Sequence, residues 1–373
     1  MKEKIHLSSS NINDNSFIKE ILTQSNLSIE NYIEKFESKL EDYYDNDKKI
    51  VALNSGTSAI HLALILSGVK KGDEVLCQSF TYIATVNPVI YQNANPIFID
   101  SEKETWNMCP VFLEEAIKDR ISKGKKPKAI IFVHLYGMPA KIDEIVAVAN
   151  KYEISLIEDA AEALGSKYKG KKCGSFGDFG ILSFNNNKII STLGGGALLC
   201  KTNKEKQTAI FYATQAKEDK NYYEHKEIGY NYRINSFAAL IGIKQLGVLE
   251  HNINRRRYIN LYYRQFFSNK HHIRFFQEKD NNYKSNHWLS CILFNDFFYE
   301  KNKEKLMSVL SNNNIETRSL WKPMHLQPVF KNNLFYGSNV CENLFNRGVC
   351  LPSGSNLKND DLKRITLTIN NLL

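Results

Sequence analysis

The sequence predicts an α/β protein: a large domain with a mostly parallel central sheet over residues 1–250, N-terminal segment included, and a smaller α+β domain over 251–373. Three observations carry this expectation. Between about residues 50 and 250, short apolar runs alternate with helical patterns, the order of a sheet whose strands are joined by helices. A long helical stretch, residues 236–267, then leads into a differently patterned C-terminal part. The chain has 373 residues, 43% of them hydrophobic, which is enough for more than one core.

The elements follow in order. KIVALNSGTSAIHLALILSG reads as strand, turn and helix, and EVLCQSFTYIATVNPVIYQ repeats that order. PIFID is a short buried strand. AIIFVHLYG is a strand, KIDEIVAVANKYEI an amphipathic helix, and SLIEDAAEA a strand that ends in acids. FGILSF and GGALLC are two further strands. SFAALIGIKQLGVLEHNINRRRYINLYYRQFF is one long helix or a broken pair. Residues 268–286, rich in Asn and Lys, read as loop, and from WLSCILF onward the pattern is a smaller α+β one.

Composition narrows the function classes. The net charge of +9 suits an anionic ligand, but the lysines are scattered, and neither zinc-finger spacing nor an RNP-type motif marks a nucleic-acid site. The opening MKEKIHLSSSNINDNS lacks an apolar segment of signal-peptide length, and AIHLALILSGV is too short to span a bilayer. The seven cysteines are dispersed without a CxxC pair. Together these features lead us to expect a cytoplasmic protein with reduced thiols, no membrane association and no metal site.

In open α/β sheets ligands sit beyond the carboxyl ends of the strands. Four strand ends carry chemistry here: NSGTS after VAL, QSFTY after EVLC, EDAAEA after SLI, and NNNK after ILSF. Gly56, Thr57 and Ser58 open a helix, where free N–H groups and the helix dipole suit a phosphate; ordinary N-capping explains the same residues. Asp159 is placed to hold a proton on a heterocyclic nitrogen, or simply to cap a helix. Tyr82 offers a face for stacking on a flat ring, or packs as a core or interface tyrosine. Lys188, alone among asparagines, is either a surface charge or an amine kept for Schiff-base chemistry. Ser183, five residues earlier, is within reach of the same ligand. The order of phosphate turn, aromatic, acid and lysine favours one shared site.

That order, with NSGTSAIHLAL, SFTYIAT, IEDAAEALG, SFNNNKIIST followed by Gly194–Gly196, and GYNYRINSFAA, resembles the DegT/DnrJ/EryC1/StrS sugar aminotransferases over roughly residues 10–373. These are pyridoxal 5'-phosphate enzymes of aspartate-aminotransferase-like fold type I. SFNNNKIISTLGGG, EDAAEALG, NHWLS, ETRSLWKPMH and GVCLPSG resemble a subgroup that aminates C4 of UDP-4-keto-6-deoxy-N-acetylglucosamine with L-glutamate, as in bacillosamine-type pathways. The resemblance implies that Lys188 binds the cofactor's aldehyde and Asp159 faces its ring nitrogen. It further implies that Tyr82 stacks on the ring, Glu162 lies near the ring hydroxyl, and Gly56, Thr57 and Ser183 bind the phosphate. Asn231, in GYNYR, would reach the phosphate of a neighbouring subunit, which makes a homodimer part of the site. Trp321 and His325, in LWKPMH, would lie near the sugar nucleotide.

Two segments depart from the family pattern. SSSNINDNS lacks the expected glycine, and QSNLSIENYIEKFE is atypical; both bear on the substrate mouth and not on the cofactor set. The rival readings are a transaminase for a GDP-linked 4-keto sugar of the perosamine type or for a 3-keto sugar, and a cofactor-binding regulatory protein without turnover. A related dehydratase branch carries histidine in place of Lys188, and no GxGxxG follows the first strand to suggest a dinucleotide enzyme.

Overall fold

A computed structural model of the protein describes residues 3–9, 31–295, 299–370 and 372. Most of SSSNINDNS and the first half of QSNLSIENYIEKFE lie outside the described residues.

Among the described residues, nine strands precede the long helices: β1 (Lys49–Leu53), β2 (Glu74–Gln78), β3 (Asn95–Ile99), β4 (Ala129–Val133), β5 (Ser155–Asp159), β6 (Lys167–Tyr168), β7 (Lys171–Lys172), β8 (Phe179–Ser183) and β9 (Gly196–Cys200). Six follow: β10 (Ile273–Phe275), β11 (Tyr283–Lys284), β12 (Ser290–Phe294), β13 (Arg318–Ser319), β14 (Phe335–Tyr336) and β15 (Gly348–Leu351). The large sheet runs β1-β9-β8-β5-β4-β2-β3-β14. All of its pairings are parallel except the two that β9 makes with β1 and β8. Every strand but β9 therefore points the same way, and the carboxyl ends of β1, β2, β5 and β8 share one edge.

The apolar runs are continuous because both faces of this sheet are covered. Alternate residues go to opposite cores. Ile50, Ala52, Leu76, Ile130, Phe132 and Leu156 pack with the helices Asn31–Tyr43, Pro110–Ser122 and Ile142–Tyr152. Val51, Leu53, Val75, Cys77, Ile131 and Ile157 pack with the helices Gly56–Leu66 and Asn203–Ala213. The result is a three-layer sandwich whose strands have no solvent face.

Residues 236–267 form a broken pair, Ser236–Gly247 and Leu249–Phe267, with Val248 (φ −110°, ψ 6°) at the break. Beyond them the antiparallel sheet β10-β12-β15-β13 packs Ile292, Phe294, Val349 and Leu351 against Ile259, Tyr263, Leu306 and Leu362 of flanking helices. Residues 268–286 are not wholly loop: they contain β10 and β11. Strand β11 pairs with β6 of a hairpin whose turn holds Lys169 (φ 49°) and Gly170 (φ 81°). Positive φ at both turn positions matches the twist of a two-residue hairpin, and two-residue strands are too short to show periodicity. We propose a domain division at residue 250, with two exchanges across it: β14 joins the edge of the large sheet, and Ile5 packs into the smaller core.

One contact between the parts is built from a single carboxylate. Asp100, just after β3, is fully buried. Its Oδ2 accepts the N–H groups of Ser338 and Val340, both at 2.9 Å, and its Oδ1 that of Cys341 at 2.9 Å. It thereby satisfies the free donors at the start of the helix Val340–Arg347.

Candidate active site

The four strand ends converge on a cavity of about 890 Å³. Asn54 to Thr57 after β1, Thr81, Tyr82 and Thr85 after β2, Asp159 and Glu162 after β5, and Ser183 and Lys188 after β8 all line it. From the smaller domain come Trp288, Arg318, Trp321 and Lys322.

The phosphate turn is made by close packing. Ser55 caps the helix Gly56–Leu66, its hydroxyl accepting the Ser58 N–H at 3.0 Å. That leaves the Gly56 and Thr57 N–H groups, the first of the helix, without intrahelical partners. Ser183 lies alongside: a Cβ at Gly56 would sit 3.3 Å from the Ser183 Cβ. Gly196, which pairs with Ser183 across β8 and β9, touches the helix start so closely that a Cβ there would meet the Gly56 nitrogen at 2.4 Å. The third glycine of the run is thus required by the approach of a helix terminus to a strand.

Asp159 is the last residue of β5 and is buried. Its Oδ2 accepts the Thr85 hydroxyl at 2.7 Å and its Oδ1 the Ala161 N–H at 3.1 Å. Burial pushes its carboxyl above the ordinary value, opposed by these two hydrogen bonds and by Lys188. Glu162 lies one turn further on. Its Oε2 accepts the Tyr136 N–H at 2.7 Å, and its Oε1 is 3.6 Å from Lys188 Nζ. Burial pushes Glu162 up to about 7, against the pull of Lys188.

Lys188 Nζ also stands 4.2 Å from the centroid of the Trp288 ring, a cation–π distance. The Trp288 Nε1–H donates to the Asn187 carbonyl at 2.6 Å, which fixes the residue before the lysine. An aromatic wall surrounds this point. Trp321 lies 5.5 Å from Tyr82 and 5.4 Å from Tyr136, centroid to centroid, and its backbone N–H donates to the Tyr136 hydroxyl at 3.0 Å. Tyr82 is 58% exposed, so its face is open to a ligand.

The structure brings together Gly56, Thr57, Tyr82, Asp159, Glu162, Ser183, Lys188 and Trp321. It does not bring in His325. That ring lies behind the cavity wall, with Nδ1 2.7 Å from the Ser79 hydroxyl, Nε2 3.2 Å from Glu342, and one face stacked on Phe335 at 3.8 Å. Asn231 is exposed and lies outside the cavity of its own chain, its carbonyl accepting from Asn54 Nδ2 at 3.1 Å. Thr85, Tyr136 and Trp288 were not singled out from the sequence. Thr85 and Trp288 stand inside the quoted SFTYIAT and NHWLS motifs, whereas nothing local marks Tyr136, which reaches the site by a left-handed backbone turn (φ 54°).

His134, Glu158 and Cys173 lie within ligand distance of one another, but the hydrogen-bonding atoms of His134 and Glu158 are already used. His134 Nδ1 accepts the Ala140 N–H at 3.0 Å, so the neutral ring carries its proton on Nε2 and donates it to Glu158 at 2.8 Å. Glu158 also accepts from the N–H groups of Gly174, Phe176 and Gly177. The cluster is a closed hydrogen-bonded knot between β4, β5 and the loop before β8.

The sequence pattern of the DegT/DnrJ/EryC1/StrS aminotransferase family matches residues 10–370. The chain belongs to this family. It is a pyridoxal-phosphate-dependent nucleotide-sugar aminotransferase. It is 47% identical over 322 residues to EpsN of Bacillus subtilis (strain 168), which carries a provisional name as a pyridoxal phosphate-dependent aminotransferase; the match covers 85% of this chain and 82% of that one. It is 35% identical to the GDP-perosamine synthase of Escherichia coli O157:H7, covering 91% and 90% of the two chains. It is 36% identical to the UDP-4-amino-4,6-dideoxy-N-acetyl-β-L-altrosamine transaminase of Campylobacter jejuni, covering 79% and 76%. Among solved structures, a family aminotransferase from Brucella abortus superposes with a TM-score of 0.87 at 28% identity, covering 96% and 94% of the chains.

The residues of this aminotransferase fit its cofactor. A buried carboxylate faces the cavity, a lysine amine stands near it, and a glycine-walled helix start with free N–H groups lies beside Ser183. These are the three groups a pyridine nitrogen, an aldehyde and a phosphate require.

Proposed function

We propose that this aminotransferase converts the C4 ketone of UDP-4-keto-6-deoxy-N-acetylglucosamine to an amine, with L-glutamate as donor, giving UDP-4-amino-4,6-dideoxy-N-acetylglucosamine and 2-oxoglutarate for glycan synthesis. The observation that carries the reading is the convergence of Lys188, Asp159, Glu162 and the Gly56–Thr57–Ser183 turn on one cavity. Support for a UDP-linked 4-keto sugar comes from the subgroup motifs and from the likeness to the Campylobacter transaminase.

When bound, pyridoxal phosphate supplies an aldehyde that exchanges amines and a ring that stores an electron pair. The chain's own residues do the rest. Asp159, braced by Thr85, holds the proton at the ring nitrogen. The Lys188 amine, once free, takes the proton from the amino-acid Cα and later returns one at the sugar's C4. Glu162, 3.6 Å from that amine, would lie near the cofactor's ring hydroxyl. Gly56, Thr57 and Ser183 hold the phosphate, Tyr82 covers the ring, and Trp321 lines the approach of the sugar nucleotide. Lys322 adds positive charge to the cavity wall, where Arg318 is paired with Glu316 at 2.6 Å; a cation at this wall suits a diphosphate.

The protein is proposed to act as a homodimer in which Asn231 reaches the partner's phosphate site. Tyr222, Tyr223 and Ile228, just before Asn231, are 60%, 82% and 85% exposed, more apolar surface than one short segment ordinarily leaves uncovered.

A second reading, a GDP-linked 4-keto substrate, is favoured by the 35% identity to a GDP-perosamine synthase over 91% of the chain. Side-by-side assays with UDP-, GDP- and dTDP-linked 4-keto-6-deoxy sugars separate the two. Preference for the UDP substrate in kcat/KM is the expected result, and preference for the GDP substrate would replace the first reading by the second.

A further inference from the structure

We propose that Cys291 and Cys350 form an oxidisable dithiol in the wall of the active-site cavity, a modification site that takes a peroxide and closes to a disulfide. The two residues face each other across β12 and β15, and their sulfurs are 3.8 Å apart. The ladder defines their backbone geometry. The Cys291 carbonyl accepts the Phe276 N–H on the β10 side. In an antiparallel strand a residue's N–H and C=O point to the same side, so toward β15 Cys291 belongs to a non-hydrogen-bonded pair. Such pairs have Cα atoms about 4.5 Å apart and side chains on one face, inside the range that a disulfide spans. Closing the bond brings the sulfurs to about 2.05 Å by side-chain rotation, without moving a strand.

Access comes from the cavity. Cys350 lines it beside Trp288, Leu289 and Leu320 with 1% of its surface exposed, and Cys291 lies behind with none. The steps balance without another reactant. Hydrogen peroxide oxidises the Cys350 thiol to a sulfenic acid and leaves as water. The Cys291 sulfur then attacks the Cys350 sulfur, and the hydroxyl departs with the Cys291 proton as a second water. Two thiols are oxidised by two electrons in total and one peroxide is reduced. Burial, together with the Cys350 contact, holds the Cys291 thiol well above its ordinary value, so closure is slow and follows the cavity-side oxidation. The pair differs in this from Cys109, the one cysteine of the seven that is not buried, which has no thiol partner across a ladder.

The test is peroxide treatment of the reductant-free holoenzyme, read by intact mass and by peptide mapping. The expected result is a loss of two hydrogens in a Cys291–Cys350 cross-linked peptide, restored by dithiothreitol, present in Cys109→Ser and absent in Cys350→Ser. Because Cys350 is part of the cavity wall, turnover is expected to fall along the same time course and to recover on reduction. Oxidation confined to Cys109, or over-oxidation of Cys350 without a cross-link, would overturn the proposal. A cross-link with unchanged turnover would overturn its connection to the site. The mass readout holds whichever keto sugar is the substrate, so its failure is distinct from a failure of the functional reading.

Discussion

Lys188 and Glu162 share one charge problem. A cation and a carboxylate 3.6 Å apart stabilise each other, yet Glu162 is buried deeply enough that its carboxyl rises to about 7 from an ordinary 4.5. The sign of the consequence is fixed. The native state prefers protonated Glu162, so this group's contribution to stability is complete below pH about 4.5 and is lost as pH rises to about 7. In the cofactor-free protein, the melting temperature of wild type relative to Glu162→Gln should therefore fall across that window and stay level above it; a difference that does not change with pH would mean that Glu162 is charged throughout. Lys188→Ala, in contrast, should fold and retain cofactor without covalent attachment. Its turnover should drop by about 10³-fold or more, the order expected when a general acid/base is removed. Near-normal turnover by that variant would refute the lysine's role.

At the scale of elements, the site depends on how strand ends and helix starts are held. Asp100 accepts three N–H groups at the head of the helix Val340–Arg347 and a fourth from Ser101 at 2.7 Å. Asp100→Ala leaves the buried Ser101 and Cys341 N–H groups without this acceptor and should cost about 3 kcal/mol in denaturant unfolding, whereas a loss below about 0.5 kcal/mol would mean that water replaces the carboxylate. Much of this layer was legible in the sequence. Strands that are apolar at every position, such as AIIFV, announce a sheet covered on both faces, and polar residues directly after them mark the ligand edge. What stayed hidden depends on distant partners. The β6–β7 hairpin and β10 and β11 are too short for a period to show. Tyr136 enters the site through a positive-φ turn that no side-chain pattern encodes. His325 sits among the motif residues in sequence, but Ser79, Glu342 and Phe335 claim its ring from positions 10 to 246 residues away.

At the scale of the whole molecule, the cavity is composite, with a floor from the large sheet and a wall from Trp288, Arg318 and Trp321 of the smaller part. No helix among the described residues is long and apolar enough to cross a membrane. If Asn231 completes the partner's site, two inactive variants should rescue each other. A dimer of one Lys188→Ala chain and one Asn231→Ala chain holds one site with both residues intact. Random mixing of the two should then restore about a quarter of wild-type activity, as two-fold symmetry requires. No recovery on mixing, with subunit exchange verified by mass, would place Asn231 outside the partner's site.

The account as a whole rests on amino transfer by Lys188 to a nucleotide-linked keto sugar. The most direct measurement supplies pyridoxal phosphate, ¹⁵N-labelled L-glutamate and UDP-4-keto-6-deoxy-N-acetylglucosamine to the purified protein and follows the label by mass spectrometry and NMR. The account predicts that ¹⁵N appears as an amine at C4 of the sugar, in step with 2-oxoglutarate, and that Lys188→Ala abolishes both. Label that stays in glutamate with this substrate and with its GDP- and dTDP-linked counterparts, in a protein that has taken up the cofactor, would contradict it.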